Sequence, residues 1–266
     1  MSNSSEIFNR AKLILGEESM KSLDQARVIL FGVGGVGSWC AEGLVRSGLG
    51  HLTLVDFDRV SESNINRQLM ATTRTIGQVK VEALKGHLLE INPEAEIITL
   101  RKLFTDENHE EFDLDSYDYI VDAVDSLKDK ASLILRACES KAKFFSSMGA
   151  ALKVDPTKIQ VAEFWNVRGC PLGSALRKKF KRNHTFPAHK FLCVYDEEVL
   201  ENIGGNRVEE ETGPDVGDPQ PEDALKINKA VTNGSLAHIT AIFGFTLSGL
   251  IIKDIYQSCG PGPLTK

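Results

Sequence analysis

Arg27-Val-Ile-Leu-Phe-Gly-Val-Gly-Gly-Val-Gly37, with His51-Leu-Thr-Leu-Val-Asp56 shortly after it, decides the fold. The apolar run Arg27–Phe31 is short and closes on glycine, the pattern of a strand buried in a parallel sheet. Gly32, Gly34 and Gly37 satisfy G-x-G-x-x-G. Glycine lets the backbone approach a phosphate, and the helix predicted over 38–48 points its N-terminus at the same place. A second apolar run then ends at Asp56, 19 residues beyond Gly37, where a carboxylate suits a ribose hydroxyl. Strand, glycine turn, helix, strand and acid make one βαβ unit that binds a nucleotide. This spacing alone fits NAD as well as ATP.

The same alternation continues outward. A helical pattern over 76–91 stops at Asn92-Pro93, and Ala95–Leu100 reads as a third strand. Tyr117–Val121 is a fourth strand closing on Asp122-Ala-Val-Asp125. A helix over 128–141 follows, and a fifth strand opens at Phe144-Phe145. The chain is therefore α/β, with a Rossmann-like, doubly wound, mostly parallel sheet. Beyond Gly149 the pattern changes. Ile159–Phe164 reads as a strand forming a hairpin with 150–154 across Asp155-Pro156, which extends the sheet by antiparallel strands. The expected organisation is a single domain: a helical arm over 5–26, a nucleotide-binding core over 27–150, and a C-terminal extension over 151–266. That extension holds a basic segment at 176–190, an acidic Pro/Gly-rich stretch at 208–223 that reads as a mobile loop, and an apolar helix at 236–256.

The bulk numbers set limits. With 266 residues and a net charge of −6, the chain has no overall bias toward nucleic acid. Its 5 cysteines form no C-x-x-C pair, so a two-pair structural zinc is not encoded. Polar Met1–Glu6 and the scattered thiols predict a reduced, cytoplasmic setting. Leu236–Ile252 is apolar enough to raise a membrane span, but Lys253 and Asp254 close it early. A buried core or dimer helix without stable membrane insertion is the better reading.

The polar groups after the second strand separate ATP from NAD. Asp56, Asp58, Asn64, Arg67 and Gln68 crowd together, and Lys80 falls in the first turns of the next helix. An arginine and a lysine beside a phosphate loop can stabilise charge developing at phosphorus, which hydride transfer does not need. Asp122 and Asp125 close the fourth strand, where ligands bind in open α/β sheets, and one carboxylate there can hold Mg2+.

Gly32–Gly37, Leu54-Val-Asp-Phe-Asp58, Ser63-Asn-Ile-Asn-Arg67-Gln68, Gly77-Gln-Val-Lys80 and Asp122-Ala-Val-Asp125 together resemble the ThiF/MoeB superfamily of ubiquitin-activating-enzyme-like adenylyltransferases. Phe8-Asn-Arg10, Leu13-Ile-Leu-Gly-Glu-Glu18, Gly34-Gly-Val-Gly-Ser-Trp39, Asp155-Pro-Thr-Lys-Ile-Gln160 and Thr240-Ala-Ile-Phe-Gly-Phe245 are most similar to its tRNA threonylcarbamoyladenosine dehydratase branch. The resemblance implies a cofactor site for ATP at Gly32, Gly34, Gly35, Gly37, Asp56, Asp58, Asn64, Arg67 and Lys80. It implies Mg2+ at Asp125, catalytic roles for Arg67, Lys80 and Asp125, and an Arg10 lent to the partner's site in a homodimer. It also implies that the acceptor is tRNA carrying threonylcarbamoyladenosine, whose threonyl carboxylate is adenylated and then cyclised with net loss of water. A sulfur-relay partnership with a cysteine desulfurase is implied by family association only. Activation of a sulfur-carrier or ubiquitin-like protein is the alternative, and the absent zinc cysteines weigh against it.

A tRNA substrate requires a basic surface. Arg177, Lys178, Lys179, Lys181 and Arg182 form the only concentrated basic run, with Phe180 and Phe186 placed to stack on unpaired bases. Cys193, in Phe191–Tyr195, reads as an inert thiol in a buried strand.

Overall fold

The computed structural model describes residues 4–204 and 233–260. Seven strands form one sheet: β1 Arg27–Phe31, β2 His51–Val55, β3 Glu96–Leu100, β4 Tyr119–Asp122, β5 Lys143–Ser147, β6 Ile159–Glu163 and β7 Leu192–Asp196. Their order is β3-β2-β1-β4-β5-β7-β6, and every pairing is parallel except β6 on β7. The strand order reverses beside β1, so the carboxyl ends of β1 and β4 flank the crevice where open α/β sheets bind ligands.

Among the described residues seven α-helices accompany the sheet: α1 Ser4–Ile7, α2 Asn9–Gln25, α3 Gly37–Arg46, α4 Lys80–Ile91, α5 Leu127–Glu139, α6 Pro171–Asn183 and α7 Ala237–Cys259. Side chains alternate across each strand, so the sheet buries two different sets. Val28, Leu30, Leu52 and Leu54 pack with Leu44, Leu84, Phe243 and Leu247 on one face. Ile29, Phe31, Val55 and Ile120 pack with Phe104, Phe112, Ile134, Leu176 and Phe180 on the other. The sheet is thus covered on both sides, which is what nearly continuous apolar strands require.

Three expectations change. Residues 150–154 form no strand. β6 pairs instead with β7, Ile159 opposite Asp196 and Glu163 opposite Leu192. The Asp155-Pro156 turn is real, since Asp155 accepts from the Thr157 N–H at 3.0 Å, but it leads into an edge strand whose partner lies far along the chain. The helix expected from 76 starts only at Lys80, because Gly77 takes a left-handed φ of 83° in the preceding turn. The N-terminal arm is broken at Gly16 (φ 79°, ψ 168°) rather than continuous. The acidic stretch 208–223 lies outside the described residues.

Helix α7 is long and apolar enough to cross a membrane by length and composition. Here Ile239, Phe243, Leu247, Ile251 and Ile255 are buried against the body of the chain. Each contributes about 1.5–3 kcal/mol by leaving water. Its contact with α3 is close: a Cβ on Gly244 would lie 2.5 Å from the Val36 carbonyl oxygen. Tyr119 Oη donates to Asp254 at 2.7 Å and Lys143 Nζ pairs with the same carboxylate, which ties the far end of α7 to the sheet.

Candidate active site

The turn between β1 and α3 is shaped by glycine at two places. Gly32 adopts φ 83°, and a Cβ there would meet the Ala123 carbonyl oxygen at 2.8 Å. A Cβ on Gly37 would lie 1.8 Å from the Gly32 carbonyl oxygen, so only glycine lets α3 start against its own loop. Gly34 differs. The nearest protein atom to its Cβ position is Gln68 Nε2 at 3.8 Å, so this stretch of backbone faces free space. An open backbone above a helix N-terminus is the arrangement that receives phosphate.

Asp56, at the end of β2, joins this loop to the next. Its Oδ2 accepts from the Val33 N–H at 2.9 Å and its Oδ1 from the Asp58 N–H at 2.9 Å. Burial raises the Asp56 carboxyl above its ordinary range, against the pull of Lys80. Each oxygen keeps a lone pair for a ribose hydroxyl. Lys80 opens α4 with its backbone N–H on the Asp58 carbonyl at 3.0 Å and its Nζ on Asp58 Oδ2 at 2.7 Å. The Lys80 side chain is 8% exposed, against 46% for Asp58. Burial alone would lower the lysine pKa, but Asp56, Asp58 and Asp125 overcome it and hold the ammonium above its ordinary value. Lys80 is therefore a fixed positive charge beside the loop.

Arg67 and Asn64 come from the loop after β2. A 3-10 turn over Glu62–Asn64 is capped reciprocally, with Asn64 Oδ1 accepting from the Ser61 N–H at 3.1 Å. Asn64 is thus buried as a cap as well as standing near the site. The Asn64 carbonyl accepts from the Arg67 N–H at 3.1 Å and the Gln68 N–H at 2.9 Å. Arg67 Cγ lies 3.5 Å from the Cβ position of Gly35, which places the side chain over the loop. Its Nη1 donates to the Ser63 carbonyl and to Asn66 Oδ1, both at 2.8 Å. The Trp39 indole N–H donates to the Arg67 carbonyl at 3.1 Å, locking this segment onto α3.

The two carboxylates after β4 separate. Asp122 is fully buried, paired with Lys130 Nζ at 2.7 Å and accepting from Ser146 Oγ at 2.7 Å. Lys130 Nζ also donates to the Val124 carbonyl at 2.9 Å. This pair holds the backbone of 123–125 and is not available to a ligand. Asp125 is exposed and acts electrostatically on Lys80. Among the described residues no group of three or more His, Cys, Asp or Glu side chains could hold a metal. A Mg2+ shared with nucleotide phosphates needs only one or two carboxylates, and Asp125 fits that requirement.

Gln68 was legible only as part of a motif, with no role of its own. It is buried at the lip of the loop, and its Oε1 has no hydrogen-bond partner among the described residues. Leaving such an atom unpaired costs about 1–3 kcal/mol, so it is a group for a ligand or water to satisfy. Only burial reveals it; the sequence carries no burial signal for a lone glutamine.

Other candidates lie away from the loop. Arg10 is exposed on α2, and the Phe8 ring beside it would lie 3.6 Å from a Cβ placed on Gly48, near the end of α3 remote from the loop. Helix α6 starts against Gly149, where a Cβ would meet Leu172 Cβ at 3.8 Å, at the carboxyl ends of the strands. It then runs toward their amino ends. Lys178, Lys181 and Arg182 are exposed, whereas Lys179 is half-buried. Arg177 donates to the Phe164 carbonyl at 3.1 Å and sits 5.9 Å over its ring. Phe180 is not a stacking residue: it is 1% exposed and packs into the core. Cys193 is fully buried, and burial pushes its thiol well above the ordinary value, so it is inert.

A glycine loop on a helix N-terminus, a ribose-type acid and a buried lysine define a nucleotide-binding α/β protein built for phosphoryl chemistry. The chain belongs to the ThiF family, whose model matches residues 8–258. It is 34% identical over 251 residues to the tRNA threonylcarbamoyladenosine dehydratase of Bacillus subtilis, covering 94% of each chain. It is 38% identical over 177 residues to the Haemophilus influenzae protein of that name, covering 65% of this chain and 68% of that one. The Escherichia coli tRNA N6-threonylcarbamoyladenosine dehydratase crystallised with ATP superposes with a TM-score of 0.81 at 28% identity, covering 97% of each chain.

Proposed function

We propose that this chain adenylates the threonyl carboxylate of threonylcarbamoyladenosine in tRNA and closes it to the cyclic form. The observation that carries the reading is Lys80, a buried ammonium held by Asp58 and acting on Asp56, whose carboxylate takes the Val33 N–H of the glycine loop. Likeness along nearly the whole chain to dehydratases of this substrate supports the acceptor.

The phosphates lie along Gly32–Gly37, and Asp56 holds the ribose. The threonyl carboxylate oxygen attacks the α-phosphorus. The bond from that phosphorus to the bridging oxygen breaks, and pyrophosphate leaves. Arg67 and Lys80 face the charge that builds on the phosphoryl oxygens, where fixed cations lower the barrier most. Mg2+ at Asp125 supplies further charge neutralisation when bound. A nucleophilic atom of the carbamoyl group then attacks the activated acyl carbon. The acyl–oxygen bond breaks, AMP leaves with that oxygen, and a proton is lost, so the net change in the nucleoside is loss of water. No protein nucleophile is needed, in keeping with a buried Cys193.

The working unit in this reading is a homodimer in the cytoplasm. Leu13 and Ile14, beside Arg10 on α2, are 87% and 76% exposed, an apolar pair that a second copy would cover while presenting Arg10 to its loop. Exposed Lys178, Lys181 and Arg182 would take the tRNA backbone. Incubation with ATP and the modified tRNA tests the proposal: AMP release that depends on that tRNA supports it, and AMP release indifferent to it refutes the acceptor.

A further inference from the structure

The basic helix α6 borders an exposed aromatic surface that its own sequence does not contain. Phe180 turns inward, and Trp165, from the turn after β6, takes the outward place. The Trp165 and Phe186 rings lie 6.1 Å apart, at 36% and 55% exposure. Two neighbouring, partly exposed rings offer flat apolar faces on which a partner's ring can stack. They are also firmly mounted. Trp165 meets buried Phe164 edge-on at 5.1 Å, and Phe164 stacks on Phe191 at 5.0 Å and touches Phe180 of α6 at 5.9 Å. The Trp165 N–H is held by Glu163 at 3.1 Å, and Phe186 follows the left-handed cap of α6 at His184 (φ 53°).

The charge around this ledge selects its occupant. No acidic residue occurs from Pro171 to Leu192, while exposed Lys178, Lys181, Arg182 and Lys190 lie on α6 and the loop carrying Phe186. Flat aromatic faces among mobile cations match a splayed nucleobase with its phosphates. We infer that Trp165 and Phe186 form a stacking ledge for an unpaired base of tRNA. The inference rests on the tRNA reading above and deepens it. β6 is antiparallel, so Glu163 and Trp165 sit at the amino ends of the parallel strands, the opposite ends from the phosphate loop, and four strand positions across the sheet from β1 (about 4.8 Å per position). The stacked base is therefore not the reacting nucleotide but a second one, and the ledge acts as a remote anchor.

Trp165→Ala/Phe186→Ala should weaken binding of tRNA carrying threonylcarbamoyladenosine roughly 5- to 100-fold, and raise its KM with kcat little changed. ATP affinity should stay as in the parent. Trp165→Phe/Phe186→Tyr should keep tRNA affinity, which separates stacking from lost packing. In a Trp39→Phe background the remaining indole should be quenched by this tRNA and not by blunt duplex RNA. Parental tRNA affinity in the double alanine variant, or no quenching on saturation, overturns the ledge while leaving the tRNA reading intact. If the parent chain does not bind the tRNA at all, the tRNA reading fails and the ledge with it.

Discussion

Lys80 Nζ lies 2.7 Å from Asp58 Oδ2 with the lysine buried and the aspartate half in solvent. The pair brings one positive charge to the rim of the phosphate loop and keeps it there. Replacing Lys80 with Met leaves Asp56 and Asp58 facing each other without a cation. Pyrophosphate release should fall on the order of 100- to 1000-fold, the usual cost of losing one group that stabilises transition-state charge. Stability should change far less, because Asp58 is partly solvated. Calorimetry beside a pyrophosphate assay separates the two effects.

Gly34 and Gly37 should fail differently when changed to Ala. At Gly37 the new Cβ would strike the Gly32 carbonyl at 1.8 Å, so the loop must move and the fold should lose about 1–3 kcal/mol. At Gly34 the same methyl meets no protein atom closer than 3.8 Å. Gly34→Ala should unfold like the parent and still bind ATP at least tenfold more weakly. Equal ATP affinity in Gly34→Ala would place the phosphates elsewhere.

The exposed charges of α6 should govern salt dependence. Changing Lys178, Lys181 and Arg182 to Glu should weaken tRNA binding and flatten its dependence on salt, by about one unit of slope per lost phosphate contact. ATP binding should not respond. Filter binding at several salt concentrations measures both slopes.

Acid should weaken the chain partly through Glu198. Its carboxylate accepts from the Val154 N–H at 2.6 Å and the Asp155 N–H at 3.0 Å, and lies 3.0 Å from Lys158 Nζ. Together these bonds lower its pKa from 4.5 to about 2. A depressed carboxylate contributes stability that is complete above the unfolded value and is lost as pH falls through the folded one. The urea midpoint should therefore decline between pH 4.5 and about 2. Glu198→Gln should start lower and decline less over the same range.

The βαβ unit, the parallel sheet and the gathering of Asp56, Arg67 and Lys80 around the glycine turn were legible because each follows local rules: apolar runs, glycine spacing and charge beside a turn. The β6–β7 pairing was not, because strand partners distant along the chain leave no mark on either segment. Asp122 and Asp125 are indistinguishable in sequence, and only the structure shows Asp122 buried against Lys130 while Asp125 is exposed. The basic run was visible, but which of its aromatics faces water was not. Helical phase buries Phe180, and Trp165 joins Phe186 from an element outside the run.

In the proposed reaction ATP is spent on removing water from a modified adenosine in tRNA. Mass analysis of nucleosides, after incubating the chain with ATP and tRNA carrying threonylcarbamoyladenosine, tests it most directly. The modified nucleoside should lose the mass of one water as AMP and pyrophosphate form in equal amount. An unchanged nucleoside mass, with or without AMP release, would contradict it.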